Sequence, residues 1–424
     1  MKMYTYRGPS REPGGEIPPL APGVSSVRFG GETLLYIEEE REPGGAAGPG
    51  AHPAAAAAPS RGARLPQRHE EVDRDEMHVV VQNGRLFQQH HPEIPVIHDR
   101  GRFLLVKLDP SRAADLAAER RTCYGVMPLT EDAVVFDEPA PPAARAPAPF
   151  VKALVDGVRP AQIKTSLVKL VSFGTRHSTS SGFRDAAAWA RQRLEASGYQ
   201  TRVEDVALDS GASANVIADK PGEATSGRQV VLVTAHLDSI NLKGGPAAPA
   251  PGADDNASGS AGLLEIARVL RGHRGRHDLR LILFGGEEQG LFGSRQYVRA
   301  LSAAERSRVR AVINMDMVGR LNSDTRSVLL EGAQASRDVI EQVRQAAATF
   351  TQLRVEVSLH PFASDHVPFI DAGLPALLAI EGADNTNEDV HSERDALAHV
   401  DYAFEAEILR MIVGFTAEAV GAAG

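Results

Sequence analysis

The sequence predicts an α/β protein: a sheet domain from about residue 159 to the end, preceded by a small α+β unit and a mostly disordered N-terminal segment. Three observations carry that expectation. Helical and strand-like stretches alternate after residue 159, the pattern of elements stacked in layers. Two strand-like runs, Val230 to Ala235 and Leu279 to Phe284, are almost continuously apolar, as strands buried on both faces must be. Acids and histidines then follow such runs, at the sheet edge where open α/β folds form their sites.

Residues 1–71 are rich in Pro, Gly and Ala. Glu12-Pro13-Gly14-Gly15 returns as Glu42-Pro43-Gly44-Gly45, and an Ala/Pro/Gly run follows from Gly44 to Pro59. Such composition buries little; only Val27 to Glu38 predicts a short strand or two. Residues 72–137 differ. Val79, Val80 and Val81 precede an Asn83-Gly84 turn signal, and Phe103 to Leu108 is a second apolar run. Asp109-Pro110 offers an N-cap and a first-turn proline for a helix through Arg121, and Val134 to Phe136 closes a small βαβ-like unit. His90, His91 and His98 have no patterned carboxylates around them and read as surface or structural histidines. Residues 138–158 form a Pro/Ala linker, semi-rigid by composition.

In the sheet domain, 159–424, Gly182 to Ser197 predicts a helix with Ala187, Ala190 and Leu194 on one side, stopped by Gly198. Gly259 to Leu270 is helical between the two apolar strands. Strand Val309 to Met315, helix Asp338 to Thr349, strand Pro375 to Ile380 and a closing helix Tyr402 to Val420 complete the series.

Composition narrows the chemistry. With 424 residues, 42% of them hydrophobic, the chain can build a substantial core, and about 150 residues per domain gives two or three units. Lysine and arginine number 46 against 55 acids, a net charge of −9, which argues against a nucleic-acid binder. The basic run Arg271, Arg274, Arg276, Arg280 reads as a solvated loop. One cysteine, Cys123, excludes an intramolecular disulfide and a cysteine-built zinc site, so any metal is held by His, Asp and Glu. No stretch approaches the roughly 18 apolar residues of a membrane span, and Met1 to Ser10 lacks the apolar core of a secretory signal. The sequence as written therefore reads as cytoplasmic, with a secreted or periplasmic location the alternative if translation starts upstream.

Four segments place acids or histidine at strand ends. In Thr234-Ala235-His236-Leu237-Asp238, the histidine and aspartate share a strand face; Asp238 fits a carboxylate that orients a metal-bound imidazole, and equally a solvated strand edge. Asp254-Asp255-Asn256-Ala257-Ser258-Gly259 fits a backbone brought close to a cation, or a helix cap. Glu287 and Glu288 follow Leu281-Ile282-Leu283-Phe284-Gly285-Gly286, and adjacent glutamates there suit one metal ligand and one proton carrier. Asp316 ends Ile313-Asn314-Met315, and His366 and His391 stand nearer the C-terminus, either of them equally a surface histidine. Together these are nitrogen and oxygen ligands for zinc or a similar first-row metal.

In order and spacing, these segments resemble the zinc exopeptidases with co-catalytic metals, the family of bacterial leucyl aminopeptidases and glutamate carboxypeptidases. The resemblance covers about residues 160–424, beginning at Phe173-Gly174-Thr175-Arg176-His177-Ser178, and the Asp254-Asp255-Asn256 form is closer to the aminopeptidase branch. It implies a three-layer sandwich around a central mixed, mostly parallel sheet, and two zinc ions (or other divalent first-row metals). His236 and Asp316 would serve one ion, Glu288 and His391 the other, with Asp255 bridging. Glu287 would be the general base and Asp238 would orient His236. Peptides would be the substrates, cleaved at their N-terminal residue by water. His366, in Ser364-Asp365-His366-Val367-Pro368-Phe369, would be structural.

There is one departure. Some secreted relatives have a tyrosine three residues before that serine to stabilise the oxyanion; here the position is Pro361, preceded by His360, a candidate substitute. Two other functions compete. Glutaminyl cyclisation is performed by relatives of similar fold that use a single zinc, and receptor-type relatives keep the sheet as a binding scaffold after losing ligands. All five implied ligands are present here, which favours the peptidase.

Overall fold

The computed structural model describes residues 2–6, 24–37, 67–71, 73–118 and 124–422. They fall into two compact units, one running through residue 140 with residues 356–358, the other comprising 141–355 and 359–424.

The first unit holds strands β1 (Lys2–Tyr6), β2 (Val24–Phe29), β3 (Glu32–Ile37), β4 (Gln67–Glu71), β5 (Met77–Gln82), β6 (Val96–Arg100), β7 (Phe103–Lys107), β8 (Tyr124–Pro128) and β9 (Ala133–Phe136). Helix α1 (Leu86–His90) follows β5, and α2 (Pro110–Ala118) follows β7. The strands form two sheets, ordered β4-β1-β3-β2-β9 and β6-β7-β5-β8. β2 and β3 fall on the strand or two expected at 27–38. β1 and β4 are additional, in a segment whose composition reads as unstructured. β3 supplies the antiparallel partner of β1, from Ile37 opposite Lys2 to Thr33 opposite Tyr6.

A second difference concerns Val134 to Phe136. That run does not close a unit around β5; β9 pairs in parallel with β2, so the expected boundary at 71/72 does not divide the fold. The end of the helix expected through Arg121, and Cys123, lie outside the described residues. His91 Nε2 lies 2.7 Å from the Tyr124 hydroxyl, and His98 Nε2 3.2 Å from Glu32 Oε2, the surroundings of structural histidines.

The second unit begins with α3 (Pro149–Val155), which lies in the segment expected to be linker. Pro149 sits at its first helical position, and Val151 and Val155 are buried; two apolar residues four apart suffice to seat one helical turn. Next come α4 (Pro160–Val171), α5 (Ser181–Ala196), β10 (Gln200–Leu208), β11 (Gly211–Lys220), β12 (Val230–His236), α6 (Gly259–Leu270), β13 (Asp278–Phe284), α7 (Phe292–Ala300), α8 (Ala303–Arg306) and β14 (Val309–Met315). The chain closes with β15 (Ser327–Gly332), α9 (Arg337–Phe350), β16 (Arg354–Ser358), α10 (Val367–Asp371), β17 (Ala376–Glu381) and α11 (Tyr402–Val420). Caps fix the helix starts: Ser180 Oγ accepts from Phe183 N, and the Asp401 carboxylate accepts from Ala403 N and Phe404 N.

The sheet is ordered β10-β11-β13-β12-β14-β17-β15-β16. β13, β12, β14 and β17 are mutually parallel, while β11 joins β13 and β15 joins β17 antiparallel. This is the mixed, mostly parallel sheet expected. Strand alternation sends Val230 and Leu232 of β12, Ile282 and Phe284 of β13 and Val312 of β14 into one core with Tyr297 and Val298 of α7 and Phe369 of α10. Their neighbours Val231, Val233, Leu281, Leu283 and Ile313 are buried too, on the face covered by α5, α6 and α11. Helices thus cover both faces, giving three layers. No helix among the described residues is long and apolar enough to cross a membrane. Arg280 belongs to β13 rather than a solvated loop, pairing with Asp219 at 2.6 Å and with the Tyr297 hydroxyl at 2.8 Å.

One core residue predicts a stability effect. Glu405 on α11 is fully buried, and neither carboxyl oxygen has a hydrogen-bond partner. Burial, with Asp254 and Glu265 adding repulsion, holds its acid well above the ordinary 4.5. A carboxyl raised in the folded state contributes most below its unfolded value, and that contribution is lost as pH rises towards the folded one. Glu405→Gln is therefore expected to gain on the native protein by up to about 1.4 kcal/mol per pH unit above pH ~4.5. Urea unfolding at several pH values measures this, and parallel pH profiles would refute it.

Candidate metal centre

The parallel strands end together at one edge of the sheet, and the chain places acids and histidines there. His236 is the last residue of β12. Asp316 follows β14 directly. Glu287 and Glu288 follow β13 after Gly285-Gly286, where Gly286 (φ +77°) permits the turn. Asp255 lies in the loop entering α6, and His391 in the loop before α11.

The expected ligands converge. His236 Nε2 is 3.1 Å from Asp316 Oδ1 and 3.1 Å from Asp255 Oδ1. His391 Nε2 is 3.1 Å from Asp255 Oδ2 and 3.0 Å from Glu288 Oε2. Asp255 thus offers one oxygen to each histidine and stands between them. Among the described residues, two triples have ligand atoms within 4.8 Å of one another, His236 with Glu287 and Asp316, and His236 with Asp255 and Glu288. His236 stands in both, so the triples cut across the expected shells. The pairwise contacts sort the groups more sharply, His236 with Asp316 and His391 with Glu288, and set Glu287 beside the first pair.

The donor set fits divalent cations. A ring nitrogen carries at most one proton, yet each Nε2 faces two carboxylate oxygens at hydrogen-bond distance. One proton cannot serve both, whereas a cation binds every donor at once, and imidazole with carboxylate is a zinc set. Glu288 Oε1 and His391 Nδ1 are buried with no hydrogen-bond partner. The protons respond accordingly. Burial alone would depress both imidazoles, but Asp316 and Glu287 around His236, and Glu288 and Asp255 around His391, hold them well above 6.5. Burial raises Glu287 well above its usual value against the pull of His236, with Asp316 and Glu288 adding repulsion. Glu288 is pushed up to about 7 by burial, with His391 opposing. Asp255 is held low: burial works against its charge, but bonds from both histidines prevail.

Most of the supporting bonds are long-range. Asp238 offers its backbone carbonyl to His236 Nδ1 at 3.2 Å, whereas its carboxylate is 3.6 Å from that nitrogen. The carboxylate accepts instead from Ser178 Oγ at 2.9 Å, Glu288 N at 3.2 Å and Glu287 N at 3.4 Å, so it holds the segment bearing both glutamates. Ser364 Oγ donates to Asp316 Oδ2 at 2.5 Å and accepts from Asn314 Nδ2 at 2.8 Å. Ser260 Oγ of α6 donates to the His236 carbonyl at 2.7 Å. His366 is buried, with Nε2 3.5 Å from Glu331 Oε1. Glu331 Oε1 also accepts from Phe362 N at 2.8 Å, fixing the loop that follows Pro361.

Sequence reasoning assigned no role to Arg176, Ser178 or Asp395, all buried here. Arg176 and Asp395 act on backbone groups distant in sequence and Ser178 on the Asp238 carboxylate, and local pattern carries no sign of either. Met317 (φ +53°) and His391 (φ +57°) adopt left-handed backbone without being glycine, strain of the kind that functional sites concentrate.

The chain is similar to known peptidases. Residues 215–416 match peptidase family M28. A probable leucine aminopeptidase of Trichophyton verrucosum is 28% identical over 286 residues, 64% of this chain and 74% of that protein. Aminopeptidase YwaD of Bacillus subtilis is 34% identical over 205 residues, 46% of this chain and 42% of that protein. Among solved structures, a zinc aminopeptidase from Bacillus subtilis shares the fold with a TM-score of 0.55 and 19% identity, covering 62% of this chain and 95% of that one.

Proposed function

We propose, from the match of residues 215–416 to peptidase family M28, that the chain is a zinc-dependent aminopeptidase that uses two zinc ions. The observation that carries the two-ion reading is Asp255, whose two oxygens face two different histidines. His236 and Asp316 would hold one ion, His391 and Glu288 the other, and Asp255 both. Arg176 is the buried cation whose field reaches Asp238, Asp255 and Glu288. One permanent positive charge is too little for this many buried carboxylates, and two dications supply the rest.

When bound, the zinc ions polarise the scissile carbonyl and make a water acidic enough to attack near neutral pH. The chain's own residues supply orientation and proton traffic. Glu287, beside His236 and Asp316, accepts a proton from the attacking water and delivers it to the leaving amine. Asp238 keeps Glu287 in reach through the backbone N–H of both glutamates. The acidic surroundings also attract the charged amine of a free peptide N-terminus, which makes the cleavage exopeptidic.

A panel of aminoacyl-anilides, N-blocked peptides and Gln-peptides tests this, with zinc measured on the same sample. The expected result is about two zinc ions per chain, hydrolysis confined to free N-termini, and no cyclisation. Cleavage of N-blocked peptides from their C-terminal end, or cyclisation without hydrolysis, would overturn the assignment.

A further inference from the structure

Asp395 holds the loop that carries Asp255. Its Oδ1 and Oδ2 accept the backbone N–H groups of Asp254 and Asp255, each at 2.9 Å. Its own carbonyl accepts from Ala253 N at 3.1 Å. One residue therefore grips three successive amides. Arg176 grips the carbonyls on the approach to the same segment: Nη1 donates to Pro251 O at 2.6 Å, Nη2 to Gly252 O at 2.9 Å, and Nε to Leu237 O at 2.9 Å. The segment has no slack. Gly252 lies at φ +50°, and a Cβ there would run into the Asp255 carbonyl and the Ser239 side chain. Asp395 is itself anchored four residues after His391, its N–H donating to Ser392 O at 3.3 Å.

We propose that Asp395 is a positioning residue that sets the spacing between Asp255 and His391, and so the zinc affinity of the position that His391 and Glu288 serve. The inference rests on the two-zinc reading above. Asp255 and His391 sit on separate loops, neither of them a strand end, and their 3.1 Å approach depends on how those loops are tied. Asp395 joins them through three loop amides, two held by its carboxylate and one by its own carbonyl. The His236–Asp316 position is built otherwise, from the ends of β12 and β14 with Ser364 behind Asp316. Weakening Asp395 therefore acts on one zinc more than on the other.

Asp395→Asn isolates the effect, because its amide nitrogen cannot accept and leaves one loop N–H facing a donor. Stepwise zinc titration of the metal-free protein is expected to give two binding events in the native chain. In the variant one event is unchanged and the other is loosened about 10–100-fold, the usual scale for groups that orient ligands. Cobalt substitution, read by its visible absorption, reports the same loss site by site. Asp401→Ala removes the α11 cap instead and serves as control, lowering the melting temperature while leaving both zinc affinities alone. Should Asp395→Asn fail to fold, Asp395→Glu, which keeps two acceptors but displaces them, enters the same titration. Unchanged zinc affinities, or equal weakening of both events, would overturn the inference and leave Asp395 a purely structural residue. A native chain that binds a single zinc or none would instead sink the two-zinc reading, and this inference with it.

Discussion

Glu287→Gln is expected to lower kcat by roughly 10²–10⁴-fold while the protein keeps its full zinc content. The substitution preserves shape and removes only the ability to take up a proton. Glu287 is buried beside His236 and Asp316, and burial, only partly opposed by His236, raises its proton affinity well above that of an ordinary glutamate. A carboxylate so placed takes a proton readily, which a general base requires, and neighbouring cations bring the value back towards the working pH. Because the base must be ionised to act, kcat rises with pH on the acid side in the native enzyme, and that limb disappears in the variant. Steady-state kinetics and zinc analysis of one preparation decide the matter. Near-native turnover at full zinc occupancy would move the base role to another group.

How far this site is legible in the sequence depends on where each ligand sits. His236, Glu287, Glu288 and Asp316 stand at or just beyond the ends of apolar strands, and a charged side chain directly after a strand buried on both faces signals function. His391 has no such flank. It lies in an irregular loop at a left-handed φ, and only the resemblance to a known family singled it out. Asp395 was harder still, because its partners Asp254 and Asp255 are 141 and 140 residues away and are backbone amides. The fold divides in the same way. β12, β13 and β14 are buried throughout or nearly so, and their runs announce them, whereas β10 is half exposed and carries Arg202, Glu204 and Asp205. Its strand character comes from pairing with β11 across the turn at Asp209-Ser210, which no short window reveals. β1 and β4 became strands for the same reason: the partner, not the local composition, decided.

Removing the metal is expected to make stability fall as pH rises from about 5 to 8, and zinc to restore most at the upper end of that range. In the metal-free protein Glu288 titrates near 7, raised by burial against the pull of His391, and Glu287 well above 4.5. A carboxyl raised on folding contributes fully below its unfolded value and loses that contribution as pH climbs to the folded one, here from about 4.5 to 7 for Glu288. His236 and His391 point the same way. Burial disfavours their charge, but the surrounding carboxylates keep them protonated well above 6.5, so their ion pairs are complete below that value and are lost as pH passes the raised one. Asp255 is depressed and acts oppositely, its contribution present above the ordinary aspartate range and lost only in acid, below the window of interest. Between pH 5 and 8 the folded metal-free chain therefore binds more protons than the unfolded chain, and its stability declines with pH. Zinc needs these same groups deprotonated and takes the place of their protons, and each proton released makes its affinity climb about tenfold per pH unit. The rise in melting temperature on adding zinc to chelator-treated protein is accordingly expected to grow from pH 6 to pH 8. Calorimetry at three pH values measures it directly. A zinc-induced rise that is constant with pH, or larger in acid, would mean that the protons of this cluster and the metal do not compete for the same atoms.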